Sequence, residues 1–308
     1  MKGVRQTPMT SAMLVSSSVE MVVEPYESAV LWTSGPTFAI GDLVYLGNDI
    51  YQSLQNSNTN RNPATEPTWW SRIAPTNRWA MFDRTLTNKT VGASPFSVTI
   101  NIGQADALAV LGVIGADITL TIRDGLGGPV VYTQSIALTG DSIGDWWEYF
   151  YFDPLLTKTI AVFKDLPRYA SAHATIEITE TVTEEFGTTI QVGEVVFGLA
   201  YDVGCAEFDA SASIIDYSYV DRDFDGTATL VRRPFSKRLT ARLWVQKNQV
   251  NRVHRFLTDF RATPVLWLLT DDEAYDELGV IYGPFKDFSI DIAYPTHSIC
   301  ALEIEGMN

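Results

Sequence analysis

The residues best suited to chemistry lie in Asp221-Arg222-Asp223-Phe224-Asp225-Gly226. Carboxylates at alternate positions before a sharp glycine turn open a calcium loop, in which hard oxygens converge on one cation. The twelfth position of such a loop is a glutamate, and here it is Arg232. The flanking segments 214–220 and 227–231 read as strands, not helices. The stretch therefore reads as a charged hairpin tip, with Asp221, Asp223 and Asp225 as the candidate metal ligands. His173, His254 and His297 lie in separate segments without metal-ligand spacing. No nucleophile elbow is present, and the glycine cluster at 125–128 lacks the lysine of a phosphate loop. Asp141, Asp145 and Glu148 are the carboxylates closest to a glycosidase pair, whose separation only the fold can set. No catalytic residue, metal or cofactor is expected. Arg232-Arg233 with Lys237-Arg238 forms the one basic cluster, suited either to an acidic neighbour or to a solvated strand face.

The elements that must position these residues follow from composition and pattern. The chain has 308 residues, 46% of them hydrophobic and only 19% charged, enough for two or three packed domains. Against 37 Asp and Glu stand 22 Lys and Arg, a net charge of −15. Such a balance excludes a general nucleic-acid binder, which needs a basic footprint to displace counterions, and it disfavours docking on anionic lipid. The longest apolar stretch, 107–116, is broken by glycine and is about half of what a membrane helix needs. Glu20 and Glu24 interrupt the apolar candidate near the start, so folding in a cytoplasm is expected. Cys205 and Cys300 are too few for a disulfide framework. They read as free buried thiols, a single bridge being the other option.

The texture is β. Residues 118–122, 175–179 and 239–245 alternate apolar with polar, as do Leu302 and Ile304 with Glu303 and Glu305. This is the signature of antiparallel strands with one buried face. At 248–261 the apolar residues Val250, Val253, Leu257 and Phe260 take helical spacing, with Asn248 as the cap and Thr263-Pro264 as the stop. The expected organisation is an N-terminal arm over 1–30, a small three-stranded module over 31–76, a jelly-roll-like β-sandwich over 77–193, and a C-terminal β domain over 194–308 carrying one helix across a sheet face. The aromatic run at 145–152 reads either as a strand buried on both sides or as one with an interface on its second face.

In the first module, Phe38 precedes Gly41-Asp42, a strand follows to Leu46, Gly47-Asn48-Asp49 turns the chain, and Tyr51, Pro63, Pro67 and Trp69-Trp70 follow in order. So small a unit must pack with aromatics. This arrangement resembles the three-stranded carbohydrate-binding modules of chitinase and cellulase type. The resemblance implies a flat aromatic platform for sugar rings, with Trp32, Tyr51, Trp69 and Trp70 as candidates. The default for the same residues is the module's own core. Residues 52–57, just after the hairpin tyrosine, carry no aromatic.

Directly afterwards, Asn77-Arg78-Trp79-Ala80-Met81-Phe82-Asp83 looks like the start of a jelly-roll sandwich, and Tyr282-Gly283-Pro284-Phe285-Lys286-Asp287-Phe288-Ser289-Ile290, followed by Leu302-Glu303-Ile304-Glu305-Gly306, looks like phage tail or baseplate proteins. The combination is similar to structural proteins of tailed bacteriophages. It implies a virion protein, made in the host cytoplasm and placed at the tail tip or baseplate. There it would assemble with copies of itself and with other tail proteins, and contact host surface polysaccharide. The alternative from another class is a secreted or accessory subunit of a polysaccharide-acting enzyme.

Overall fold

The computed structural model describes residues 1–138, 157–180, 189–272, 275–292 and 294–307. Over these the chain is mainly β, with several sheets and few helices. The aromatic run at 145–152 and the carboxylates Asp141, Asp145 and Glu148 lie outside the described residues.

A six-stranded sheet runs through the molecule. Its spatial order is Ile160–Phe163, Ala107–Leu111, Glu194–Asp202, Lys2–Gln6, Val265–Leu268 and Val280–Gly283, with antiparallel neighbours. Ala107–Leu111 is buried at every position, as a central strand covered on both faces must be. The segment read as an N-terminal arm supplies strands to both main sheets, Lys2–Gln6 to this one and Leu14–Ser17 to a second. Val4 stands opposite Ala200 on one side and Leu266 on the other. Residues on both sides of the boundary expected at 193/194 are therefore linked through one continuous ladder. Local turn chemistry cannot reveal such pairing, because the partners lie far apart in sequence.

The backbone contact at this strand is tight. A Cβ added to Gly198 would sit 1.7 Å from the Arg5 carbonyl oxygen, and one added to Gly3 would meet the Phe256 ring at 3.1 Å. Glycine at both places lets strand and helix approach closely.

Against one part of this sheet lies a five-stranded sheet in the order Val130–Ala137, Asp117–Asp124, Ala172–Thr179, Phe96–Asn101 and Leu14–Ser17. Period-two alternation in Asp117–Asp124 and Ala172–Thr179 turns Ile118, Leu120, Ile122, Ala174, Ile176 and Ile178 inward. They meet Leu108, Val110, Phe163, Val195 and Phe197 from the six-stranded sheet, forming the sandwich core.

A third sheet is built on the long strand Phe235–Gln246, paired with His297–Glu305 on one side and with Ser211–Asp216 and Cys205–Ala206 on the other. Leu239, Ala241, Leu243 and Val245 face inward as the alternation requires. The helix Val250–Asp259 packs Val253, Phe256 and Leu257 into the same core with Trp267 and Ile281. It starts two residues later than expected, and no side chain caps its first turn. It is the longest helix among the described residues, with 10, and none of them is long and apolar enough to cross a membrane.

Candidate functional site

The first module holds Leu43–Leu46, Asp49–Ser53 and Trp70–Pro75 as antiparallel neighbours, with Val30–Leu31 added in parallel at the edge. Gly47 takes φ 63° in the two-residue connection between the first pair, a conformation that suits glycine. The Asp42 carboxylate accepts the Ala39 N–H at 2.7 Å, fixing the turn that launches the strand. Tyr51 and Trp70, 9% and 2% exposed, are the core together with Phe38 and Val44. Trp70 packs edge-on to Phe38 at 5.3 Å and donates its indole N–H to the Arg61 carbonyl at 2.9 Å. Neither ring presents a face to a ligand. A unit with so little interior uses its largest aromatics to fill it. Trp32 and Trp69 are half-buried at the rim, and the Arg61 guanidinium lies over Trp69 at 5.0 Å, held by Glu66 at 3.5 Å. Of the four sugar-platform candidates, Trp32 and Trp69 keep accessible surface.

Asp221, Asp223 and Asp225 lie at the end of a hairpin, Tyr219–Arg222 with Ala228–Val231. The Asp223 N–H bonds to the Thr227 carbonyl and the Asp225 carboxylate accepts the Thr227 N–H, both at 2.9 Å. Gly226 takes φ 89° in the turn. The hydrogen bond from the Thr227 backbone holds the Asp225 carboxyl below its ordinary range. Among the described residues no three His, Cys, Asp or Glu side chains gather as a metal site.

Among the described residues this hairpin pairs only with itself. It continues outward from Ser211–Asp216, beyond the Phe235 end of the long strand. Its base is tied by the Arg233 N–H to Ser218 Oγ at 2.9 Å and by Arg233 lying over Tyr219 at 4.8 Å. Large apolar side chains are exposed on it and at its base: Val220, Phe224 and Leu230 on the hairpin, Ile214 and Phe235 beside it, Phe224 completely at 109%. An isolated two-stranded hairpin is marginal in water. One that also displays phenylalanine and leucine is an unpartnered surface.

Other sequence candidates are dispersed. His173 bonds the Ser171 carbonyl at 2.8 Å, His254 packs near Phe288, and His297 stacks on Tyr294 at 4.4 Å. In the basic cluster, Arg238 pairs with Glu303 at 2.7 Å, Lys237 donates to the Glu277 carbonyl and Arg233 lies over Tyr219, so three of its four charges are engaged within the chain. Both cysteines are free. Cys300 is buried, but Cys205 is exposed because it sits on a two-residue edge strand.

A cleft of about 820 Å³ opens between the helix, the N-terminal strand and the loop after Phe82. Arg5, Arg84, Arg252 and Arg255 line it, with Asp259 as the acid among them. Among the described residues none of these four guanidinium groups makes an ion pair. Its aromatic wall comprises Tyr201, stacked on Phe256 at 4.9 Å, and Phe260, over which Arg5 lies at 5.3 Å. Arg84 adopts φ 67°, where non-glycine residues are uncommon, and its N–H is held by Glu194 Oε2 at 2.9 Å.

Glu194 is fully buried, and its Oε1 accepts from Gln6 Nε2 at 2.7 Å, while the Tyr282 hydroxyl donates to Gln6 Oε1 at 2.6 Å. Burial pushes the Glu194 carboxyl up to about 8 and the Tyr282 phenol above its ordinary range. The network pins the sheet behind the cleft. No protein-family model and no curated protein matches the chain.

Sequence reasoning misses the arginine cleft. Its one local signal is the spacing of Arg252 and Arg255, which places two cations on one side of the helix. Arg5 and Arg84 reach them only through long-range sheet pairing.

Proposed function

We propose that the chain is a non-catalytic structural protein of a tailed-phage virion, at the tail tip or baseplate, which assembles with copies of itself and with other tail proteins. The observation that carries the assembly reading is the projecting apolar hairpin. Fully covering one of its large side chains contributes roughly 1.5–3 kcal/mol. Covering about half of those exposed would therefore offset much of the association cost, roughly 4–15 kcal/mol. The continuous ladder that joins sandwich strands to Val265–Leu268 and Val280–Gly283 suits a component that transmits position instead of moving over a substrate. The phage setting rests on the resemblance carried by the first module and by Asn77–Asp83. In this reading Trp32 and Trp69 are the residues left to touch host surface glycan.

Light scattering on the purified chain tests the assembly, with glycan from a candidate host as a parallel substrate. A concentration-dependent multimer without release of reducing sugar supports the proposal. A monomer at every concentration, or sugar release, overturns it in favour of a polysaccharide-acting enzyme subunit.

A further inference from the structure

We infer that the acidic, Phe224-tipped hairpin of one copy seats in the arginine cleft of the next copy. The inference rests on the reading that the chain assembles with itself, and it names the two surfaces that meet. In a chain of net charge −15, the cleft gathers four arginines against the single acid Asp259. Arg5, Arg252 and Arg255 are exposed, and Arg84 is half-buried. The hairpin end carries the complement: Asp221, Asp223 and Asp225 against Arg222, all exposed, around a phenylalanine that is completely exposed.

The match is apolar as well as charged. Phe224 would meet a wall already built from Tyr201, Phe256 and Phe260, while the three aspartates would find guanidinium groups that make no ion pair among the described residues. Planar guanidiniums suit paired carboxylates better than lysine would. A cleft of this size lies within the range that binds ligands. The complete exposure of Phe224 places the tip outside the chain's own cleft, so the occupant comes from a second molecule. Tip and cleft are different surfaces, so the contact is heterologous. Repeated, it closes into a ring or runs on as a filament.

Charge reversal tests it. Asp221→Arg with Asp223→Arg alters only exposed residues at the tip and leaves the Asp225–Thr227 turn bond in place, and Arg252→Glu with Arg255→Glu alters only exposed helix residues, so both proteins should retain the wild-type circular dichroism. Each is expected to weaken self-association at least about tenfold. Combining all four changes in one chain restores opposite charges and should recover the larger assembly. Mixing the two reversed proteins pairs the intact tip of one with the intact cleft of the other and the reversed tip with the reversed cleft, so native mass spectrometry should find mixed assemblies that neither protein forms alone. Phe224→Ser, which leaves the charges alone, should weaken association too. Wild-type oligomers that persist unchanged in every variant overturn this docking while leaving assembly itself standing. A monomeric wild type overturns both.

Discussion

The Glu194 carboxyl is fully buried between Gln6 and the Arg84 amide, and burial pushes it up to about 8 from an ordinary 4.5. The folded protein therefore holds this proton more tightly than the unfolded chain does. The stability that comes with it is complete below pH 4.5 and is lost as the pH rises through about 8. At roughly 1.4 kcal/mol per tenfold, the loss relative to acid is about 3 kcal/mol at pH 7 and about 4 kcal/mol at pH 8. Asp83, also raised by burial, adds a slope of the same sign. Glu194→Gln removes the titration but keeps an oxygen for only one of the two N–H donors, and the abandoned donor costs about 1 kcal/mol. The variant is expected to be about 1 kcal/mol less stable than wild type near pH 4 and about 3 kcal/mol more stable near pH 8. Urea unfolding followed by tryptophan fluorescence, run on both proteins across this range, reads the difference and cancels titrations common to both. A difference that stays flat with pH refutes the buried-proton reasoning.

Three further outcomes are expected. Gly198→Ala forces a Cβ onto the Arg5 carbonyl, so it should destabilise by about 3 kcal/mol or more and speed amide exchange in Lys2–Gln6. Trp70→Ala empties the centre of the first module at a cost of about 3–5 kcal/mol, and proteolysis should then cut within 31–76 while the six-stranded sheet stays protected. Trp69→Ala and Trp32→Ala should leave the module folded, and calorimetry with host glycan should show weakened binding; unchanged binding would remove these residues from any sugar contact.

Much of the fold was legible because its causes are local. Alternation through Ile118, Leu120 and Ile122 reports one buried face, and the three- and four-residue spacing of Val250, Val253 and Leu257 reports a helix. The course of Lys2–Gln6 was not legible. Its partners sit near residues 200 and 266, and nothing in five residues announces a central strand. In the first module the hairpin was readable from Gly47-Asn48, but which aromatics become core depends on packing: Tyr51 and Trp70 turn in while Trp32 and Trp69 stay at the rim. The Asp-rich turn read correctly as a hairpin tip, yet the exposure of Phe224 follows from the hairpin having no sheet to lie on.

Hydrogen exchange of the backbone amides in 219–231, measured from dilute to concentrated wild-type protein, tests most directly whether this surface is made to be covered. The account predicts that exchange there slows as concentration rises, while amides of the first module keep their rates. Equal exchange in the hairpin at every concentration would contradict it.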